Sequence, residues 1–176
     1  MKETELQLYS NTWFDLDNPD PSLIEIEDIA HALSLQCRFT GHCNEFYSVA
    51  QHSIIVASIL PDEYKFFGLM HDAHEAYVHD VASPMKTILP DYNRIEDKMW
   101  RAVATKYSLP LELPSAVKEA DRSVCLAEKN ALLGDLDWGL KGVEPADVEI
   151  VPWAPALAEQ MFLLSFDAMY RLVSVQ

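Results

Sequence analysis

The 176-residue sequence predicts an all-α fold with one short β-hairpin at its N-terminus. Three observations predict this class. Apolar residues recur at helical spacing along most of the chain. Capping residues, prolines and a glycine stand where those apolar stripes begin and end. The only stretch with the character of β structure is Leu6–Leu16, and the length suits a single domain over residues 1–176.

The first 25 residues are predicted to form the hairpin and a loop. Leu6–Tyr9 and Thr12–Phe14 are rich in apolar and aromatic residues, and they flank the turn dipeptide Ser10-Asn11. The segment 17–22 has two prolines among Asp, Asn and Ser, which is typical of a loop. We therefore expect the helical part of the chain to begin near residue 26.

Residues 26–134 are predicted to form the helical core. The predicted helices cover residues 27–36, 49–60, 62–80, 91–108 and 115–133. Ser48 and Gln51 form a capping box before the second of these helices, and Ser83-Pro84 begins a further short one. Gly134 closes the last helix of the core. Residues 135–176 are then predicted to form an acidic loop and an amphipathic C-terminal helix over 155–173.

Composition limits the partners and the compartment. The formal charge of −15 argues against a nucleic-acid polymer or an anionic membrane as a partner, because like charges repel. No apolar run is long enough to cross a bilayer, and Met1–Glu5 lacks the charged-then-apolar pattern of a secretory signal. The three cysteines form no disulfide framework and suit reduced thiols. We therefore expect a cytoplasmic protein, in a bacterium or in its host cell if a phage encodes it.

Candidate chemistry concentrates in His71–Asp80, which holds three histidines, two aspartates and one glutamate in ten positions. On a helix, Glu75 would lie on the same face as the pair His71-Asp72. His52 lies on the apolar stripe of its own predicted helix, and Asp121 lies on that of another. A buried carboxylate needs a nearby cation, or its pKa rises until it is neutral. The sequence therefore predicts that a cation lies close to these residues.

A four-ligand metal site is the main prediction. His52, the pair His71-Asp72 and Asp121 come from three predicted helices and supply two imidazoles and two carboxylates. With a divalent ion the set is formally neutral, which removes the cost of burying each carboxylate. Mixed nitrogen and oxygen ligands suit Zn, Co, Mn, Fe or Mg, and the sequence does not choose among them.

Other sites are less favoured by the sequence. Cys37, His42 and Cys43 offer metal-binding atoms, but their spacing fits no structural zinc pattern. The remaining histidines are predicted to lie on the surface or to support the ligands: His31, His74 and His79. The sequence contains no G-x-S-x-G elbow, P-loop or dinucleotide-binding fingerprint, so these hydrolase and nucleotide-binding classes are disfavoured.

The order of the candidate ligands resembles that of the HD-domain metal-dependent phosphohydrolases. The resemblance covers residues 38–133 and rests on four segments: Val49–Ser53, Met70–Glu75, Asp80–Lys86 and Val117–Asp121. The spacing is similar to that of the bacterial 5′-deoxynucleotidase. The short chain and its N-terminal hairpin look closer to the small phage dATP triphosphohydrolases. The resemblance implies an HD-domain helical bundle with its core over residues 26–134.

The resemblance also implies roles for individual residues. The metal ligands would be His52, His71, Asp72 and Asp121. Catalysis would use Glu75 and Asp80, which would orient water or bind a further metal with the phosphates. The candidate substrate-binding residues are Arg38, Phe39, Thr40, Lys86 and Lys118. Phe39 stands where the family often has Trp, and it keeps a surface for stacking.

The expected reaction is hydrolysis of dATP, or of a related dNTP, to the deoxynucleoside and triphosphate. The alternative is a 5′-deoxynucleotidase that converts a dNMP to the deoxynucleoside and phosphate. The resemblance also implies a homo-oligomer, either a dimer or a hexamer. Two hypotheses outside the enzymes stay open at this point: a module that senses or sequesters nucleotides without turnover, and a structural helical protein whose acidic-histidine patch is solvated.

Overall fold

A computed structural model of the protein describes residues 3–173, and it has the predicted all-α class with an N-terminal β-hairpin. The strands are β1 (Glu5–Gln7) and β2 (Trp13–Asp15). The helices are α1 (Ile26–Leu35), α2 (Val49–Ser58), α3 (Asp62–Met70), α4 (Glu75–Val78), α5 (Ser83–Lys86), α6 (Pro90–Tyr107), α7 (Ser115–Leu132) and α8 (Pro155–Val173). Residues 1–2 and 174–176, which the predicted domain also includes, lie outside the described residues.

The hairpin closes one side of the core. Its strands pair antiparallel, with Leu6 opposite Phe14, and the Phe14 side chain is fully buried. Asn11 in the connecting turn has a left-handed φ of 64°, which Asn tolerates better than most residues. Ser10 N–H donates to Asp28 Oδ1 at 2.7 Å. This hydrogen bond fastens the turn to α1.

The core lies between the hairpin, the first three helices, α6 and the C-terminal helix. α8 packs against α1, α2 and α3. Its Phe162 joins Ile29 and Leu33 of α1 and Leu69 of α3 in one buried apolar cluster, in which each side chain contributes about 1.5–3 kcal/mol of burial. The predicted C-terminal helix therefore packs onto the bundle of its own chain. None of the helices within residues 3–173 has the length and apolar character of a membrane-spanning segment.

The three helices that were predicted to supply metal ligands pack against one another. α2 contacts both α3 and α7, and α3 also contacts α7. Gly68 allows α3 to approach α2 closely, because a Cβ there would overlap Leu60 Cδ1 and lie 3.2 Å from Ala57 Cα. Val56 of α2 and Val124 of α7 share a second buried apolar cluster. This packing joins three parts of the chain that are distant in sequence.

The helix predicted over residues 62–80 is two helices in the structure, so that prediction is wrong. α3 ends at Met70, and the next helical turn, α4, is separate. Between them the backbone tightens to hydrogen bonds between residues three apart, such as Ala73 N–H to Met70 O at 3.0 Å. His71 Nδ1 bonds Gly68 O at 2.7 Å, and so takes a carbonyl that a continued helix would use.

The start of α2 also differs in part from the prediction. The Ser48 hydroxyl accepts Gln51 N–H at 3.1 Å, as a capping box requires, but the Gln51 side chain does not turn back to the cap. Its Nε2 donates to Val151 O at 2.7 Å, and its Oε1 accepts Trp153 N–H at 2.9 Å. Gln51 therefore fastens the loop before α8 to the buried side of α2.

Candidate metal centre

His52 is fully buried in α2, and its ring is oriented by a glutamate of α7. His52 Nδ1 lies 2.8 Å from Glu128 Oε1. Burial would raise the pKa of Glu128, but Arg38 and His52 hold it below its usual value, so the carboxylate is ionised and accepts. In a neutral His52 ring the proton is therefore on Nδ1. The lone pair of Nε2 then points away from Glu128 and is free to bind a metal.

His71, directly after α3, is oriented in the same way by the backbone. Its Nδ1 lies 2.7 Å from Gly68 O, and a carbonyl only accepts, so Nδ1 carries the proton. The opposite nitrogen, Nε2, is buried and has no hydrogen-bond partner among residues 3–173. Its 3.1 Å approach to Asp72 Oδ2 lacks the angles of a hydrogen bond. A bound cation would account for this buried and unpaired nitrogen.

Asp72 and Asp121 complete the group. Asp121 Oδ1 lies 3.1 Å from His52 Nε2 and 3.8 Å from His71 Nε2. Asp72 Oδ2 lies 3.7 Å from His52 Nε2. Candidate ligand atoms of His52, His71 and Asp72 all lie within 4.8 Å of one another. The structure thus brings together the four predicted ligands, His52, His71, Asp72 and Asp121, which are termed the four-ligand cluster below.

The four-ligand cluster requires a positive charge. Carboxylate oxygens face imidazole nitrogens at 3.1 Å, and their lone pairs repel unless a proton or a metal lies between them. Burial lowers the pKa of His71, but Asp72 and Asp121 raise it well above its ordinary value. Burial likewise opposes ionisation of the two aspartates, yet the imidazoles hold the pKa of each below its usual range. A divalent cation supplies the same charge while each Nδ1 keeps its proton, so the donor set fits a metal ion.

Glu128 and Arg38 form a buried ion pair beside the cluster. Arg38 Nε lies 3.0 Å from Glu128 Oε2, and Arg38 Nη1 lies 3.9 Å from Asp72 Oδ2. Sequence reasoning missed Glu128, although a signal was present. It follows Asp121 by seven residues, two turns along the same face of α7. A second carboxylate on the apolar stripe of this helix indicates a buried cationic partner, as Asp121 does.

A second group contains histidine and carboxylate side chains, of which His74 and Glu96 line a small cavity that also reaches His71. Ligand atoms of His74, Glu75 and Glu96 lie within 4.8 Å of one another. In this group Lys86 supplies a cation, because its Nζ donates to Glu96 Oε1 and lies 3.5 Å from Glu75 Oε1. These four residues, His74, Glu75, Lys86 and Glu96, are termed the lysine cluster.

A large cavity of about 1040 Å³ opens onto the four-ligand cluster at Asp72 and Asp121. The predicted catalytic residues, Glu75 and Asp80, both line it. Burial raises the pKa of each of these two carboxyl groups, and the charge of Asp72 adds to the rise. Four of the five predicted substrate-binding residues line the same cavity: Arg38, Phe39, Thr40 and Lys86.

Lys118 is the predicted substrate-binding residue that the structure places elsewhere. It is exposed on α7 and lines a separate cavity of about 450 Å³, shared with the lysine cluster. Two cations that the sequence analysis did not select, Arg122 and Lys129, line the large cavity instead. Each directly follows a carboxylate of the site, Asp121 or Glu128, and that adjacency was the available signal.

The residues of the alternative predictions have other environments. Cys37 Sγ and Cys43 Sγ lie 3.3 Å apart as free thiols. Neither group with metal-binding geometry within residues 3–173 includes a cysteine or His42, so the alternative zinc site gains no support. His31 stacks on a tyrosine ring with 3.8 Å between centroids, and His79 is exposed. Both lie outside the four-ligand cluster, as predicted.

Comparison with known proteins places the chain beside two bacterial relatives. It is 38% identical to the uncharacterized protein YfdR of Escherichia coli (strain K12) over 173 residues, which are 95% of this chain and 96% of that protein. The chain belongs to the YfdR family. It is also 33% identical over 130 residues to the uncharacterized protein RCAP_rcc00048 of Rhodobacter capsulatus, covering 68% of this chain and 66% of that protein. No family model matches this member of the YfdR family.

Proposed function

We propose that the chain is a metal-dependent phosphohydrolase of the HD-domain type that acts on deoxynucleotides. The four-ligand cluster is the observation that supports this most directly, because α2, α7 and the end of α3 supply two Nε2 lone pairs and two carboxylates around one point. Each imidazole has its Nδ1 held by an acceptor, as metal-binding histidines usually do. The same four residues are those that the resemblance to the HD-domain enzymes implies.

The residues around the large cavity would have different roles in hydrolysis. The cluster residues would hold a divalent ion, which when bound supplies Lewis-acid activation of water and of a phosphoryl oxygen. Glu75 and Asp80 line the cavity, and burial raises the pKa of both, which makes each carboxylate a stronger base toward the proton of an attacking water. Arg38 lies close enough to Asp72 to contact a phosphate group that binds beside the four-ligand cluster.

The cations of the cavity favour a substrate with several phosphates. Arg38, Lys86 and Arg122 line this one cavity in a chain of formal charge −15. Cations gathered in a cleft attract a polyphosphate through the local field, whatever the total charge. Attack of water on the α-phosphorus of dATP or a related dNTP would then yield the deoxynucleoside and triphosphate. The position of Lys118 outside the cavity removes one predicted phosphate contact and favours the alternative, a 5′-deoxynucleotidase acting on dNMP.

The test is hydrolysis of a panel of deoxynucleotides. Protein purified without chelator is loaded with Zn, Co, Mn or Mg and incubated with deoxynucleoside mono- and triphosphates, and ion-exchange chromatography separates phosphate from triphosphate. Triphosphate as product supports the main proposal, whereas phosphate released only from monophosphates supports the alternative. Absence of product from every substrate with every metal would overturn the enzymatic proposal and favour a nucleotide-binding module.

A matched pair of variants links any activity to the cluster. Asp72→Ala is expected to abolish product formation while circular dichroism shows the helical fold retained. The control, Asp62→Ala, removes an aspartate from the same part of the chain whose side chain is 93% exposed, and it should keep full activity. Full activity of Asp72→Ala would refute the assignment of the site.

A further inference from the structure

The loop after α7 places exposed apolar side chains at the large cavity. Leu136, Trp138 and Leu140 all line it, with 81%, 45% and 40% of their surfaces exposed. An exposed apolar patch of this kind on a strongly charged protein is typical of a surface that another molecule covers. The patch belongs to the same cavity as the four-ligand cluster, so a ligand in that cavity would cover it.

Trp138 does not stand alone, because its ring meets that of Phe39. The two ring centroids lie 6.0 Å apart, and the planes are inclined at 72°. The guanidinium carbon of Arg38 also lies 5.3 Å from the centroid of the Phe39 ring. Arg38 in turn lies 3.9 Å from Asp72 of the four-ligand cluster. Arg38 therefore links the aromatic pair to the four-ligand cluster.

We propose that Trp138 and Phe39 together form an aromatic surface on which the nucleobase of the substrate stacks. This inference rests on the proposed hydrolysis of deoxynucleotides and adds a substrate-binding residue, Trp138, from the loop after α7. The cavity is lined both by charged residues, among them Asp121 and Arg122, and by the rings of Phe39 and Trp138. A nucleotide likewise combines charged phosphates with a flat aromatic ring. Aromatic side chains bind bases by stacking, and this contact tolerates different bases.

Two other roles for Trp138 have distinct consequences. A side chain that served only to fill the core would be buried, whereas Trp138 is nearly half exposed. A second copy of the chain that covered the patch would make it an interface between subunits. In that case replacing Trp138 would change the oligomeric state and leave nucleoside binding unaltered.

The test uses deoxyadenosine, which has the base and sugar but no phosphate to hydrolyse. Its binding to the metal-loaded protein is measured by tryptophan fluorescence and calorimetry, in parallel with binding of inorganic triphosphate. Trp138→Ala is expected to weaken deoxyadenosine binding by roughly tenfold, a typical cost of losing one stacking contact, and to leave triphosphate binding unchanged. Trp138→Phe should restore most of the affinity, because it keeps an aromatic face. Trp13→Ala removes a tryptophan of β2 with 47% exposure and is the matched control, for which no change is expected.

Kinetics and light scattering complete the test. For dATP, Trp138→Ala should raise KM by roughly tenfold with little change in kcat. Wild-type affinity of Trp138→Ala for deoxyadenosine, or a changed molecular mass in light scattering with binding intact, would overturn the base-stacking role while the hydrolytic proposal stood. Conversely, deoxyadenosine binding lost in Trp138→Ala but with no hydrolysis by the wild type would support the base-stacking role and defeat the proposed reaction.

Discussion

The four-ligand cluster and the lysine cluster both contain histidines and carboxylates, but only the lysine cluster also contains a lysine. Lys86 lies between Glu75 and Glu96 and supplies the charge that their carboxylates need. In the four-ligand cluster, the nearest cation within residues 3–173 is Arg38, which lies 3.9 Å from Asp72 and is bonded to Glu128 at 3.0 Å. Lys86 therefore compensates the carboxylate charge of the lysine cluster, whereas the four-ligand cluster requires a bound cation.

The orientation of the histidines separates the clusters as well. His52 and His71 both have Nδ1 bonded to a fixed acceptor, which directs Nε2 at the carboxylates. His74 differs because its buried Nδ1 has no hydrogen-bond partner among the described residues, while its Nε2 lies 3.5 Å from Glu96 Oε1, an oxygen that also accepts from Lys86. A group of histidines and carboxylates is therefore a good metal site only where the surrounding residues orient each imidazole and leave the charge unbalanced.

The largest expected difference between the clusters is in metal content. Asp121→Asn removes one carboxylate charge from the four-ligand cluster, and we expect metal affinity to fall by more than about 100-fold because a direct ligand matters more than its supporting contacts. Glu96→Gln makes the same chemical change in the lysine cluster and should leave metal content unaltered. Both are measured by inductively coupled plasma mass spectrometry on protein purified without chelator.

The outcome of this pair decides which cluster is the metal site. Loss of metal in Glu96→Gln with retention in Asp121→Asn would reverse the assignment. Circular dichroism of both variants shows whether a loss reflects the ligand or the fold. A trace of metal or none in the wild type, after loading with Zn, Co, Mn and Mg in turn, would favour the hypothesis of a structural helical protein.

Glu128→Gln tests the orientation of His52 and should have the next largest effect. The amide oxygen can still accept from His52 Nδ1, but the charge that offsets buried Arg38 is lost. We expect the free energy of unfolding to fall by about 3 kcal/mol and metal affinity to fall by roughly 10- to 100-fold. Urea unfolding and calorimetric titration with metal measure the two effects. Glu119→Gln, an exposed position on the same helix, is the control; wild-type metal affinity in Glu128→Gln would contradict the orienting role.

The sequence predicted the helices well because their signals are local. Ser48 caps α2 and Gly134 follows α7 with φ of +93°, as the residue types alone indicate. The candidate ligands were also found locally, since a polar residue on an apolar stripe is visible without a structure. Glu128 has the same local signal on α7, but its pairing with Arg38 and His52 depends on residues that only folding brings near, as does the contact of Trp138 with Phe39. The break after Met70 has a local cause instead, because the ring of His71 competes with the helix for the carbonyl of Gly68, and apolar periodicity does not reveal that competition.

Gln36→Met tests whether metal binding by the four-ligand cluster is independent of the segment that carries the lysine cluster. Gln36 holds residues 75–80, the segment that leads from Glu75 of the lysine cluster to Asp80, with Nε2 donating to Glu75 O at 2.9 Å and Oε1 accepting Asp80 N–H at 3.1 Å. Gln36→Met leaves both backbone groups without these partners, and we expect a loss of about 1–2 kcal/mol in the free energy of unfolding. Metal content should persist, because the Gln36 side chain bonds to backbone groups of Glu75 and Asp80 and not to a ligand of the four-ligand cluster. Loss of metal in a folded variant, by mass spectrometry and circular dichroism, would show that the clusters are coupled through this segment.

The smallest effect on the four-ligand cluster is expected for Lys86→Met, which removes the internal cation of the lysine cluster. Glu75 and Glu96 would lose their shared partner, but Lys86 is partly exposed, so solvent screening limits the loss to about 1 kcal/mol in the free energy of unfolding. Metal stoichiometry, measured by mass spectrometry, should stay at the wild-type value because the two clusters satisfy their charge separately. A gain of one further ion per chain would mean that the Lys86 ammonium group occupies a potential metal site. Both clusters would then be able to bind a metal, and they would differ only in the cation that is bound. Loss of the wild-type ion would instead show that metal binding by the four-ligand cluster also depends on the charge of Lys86. The two clusters would then not be electrostatically independent.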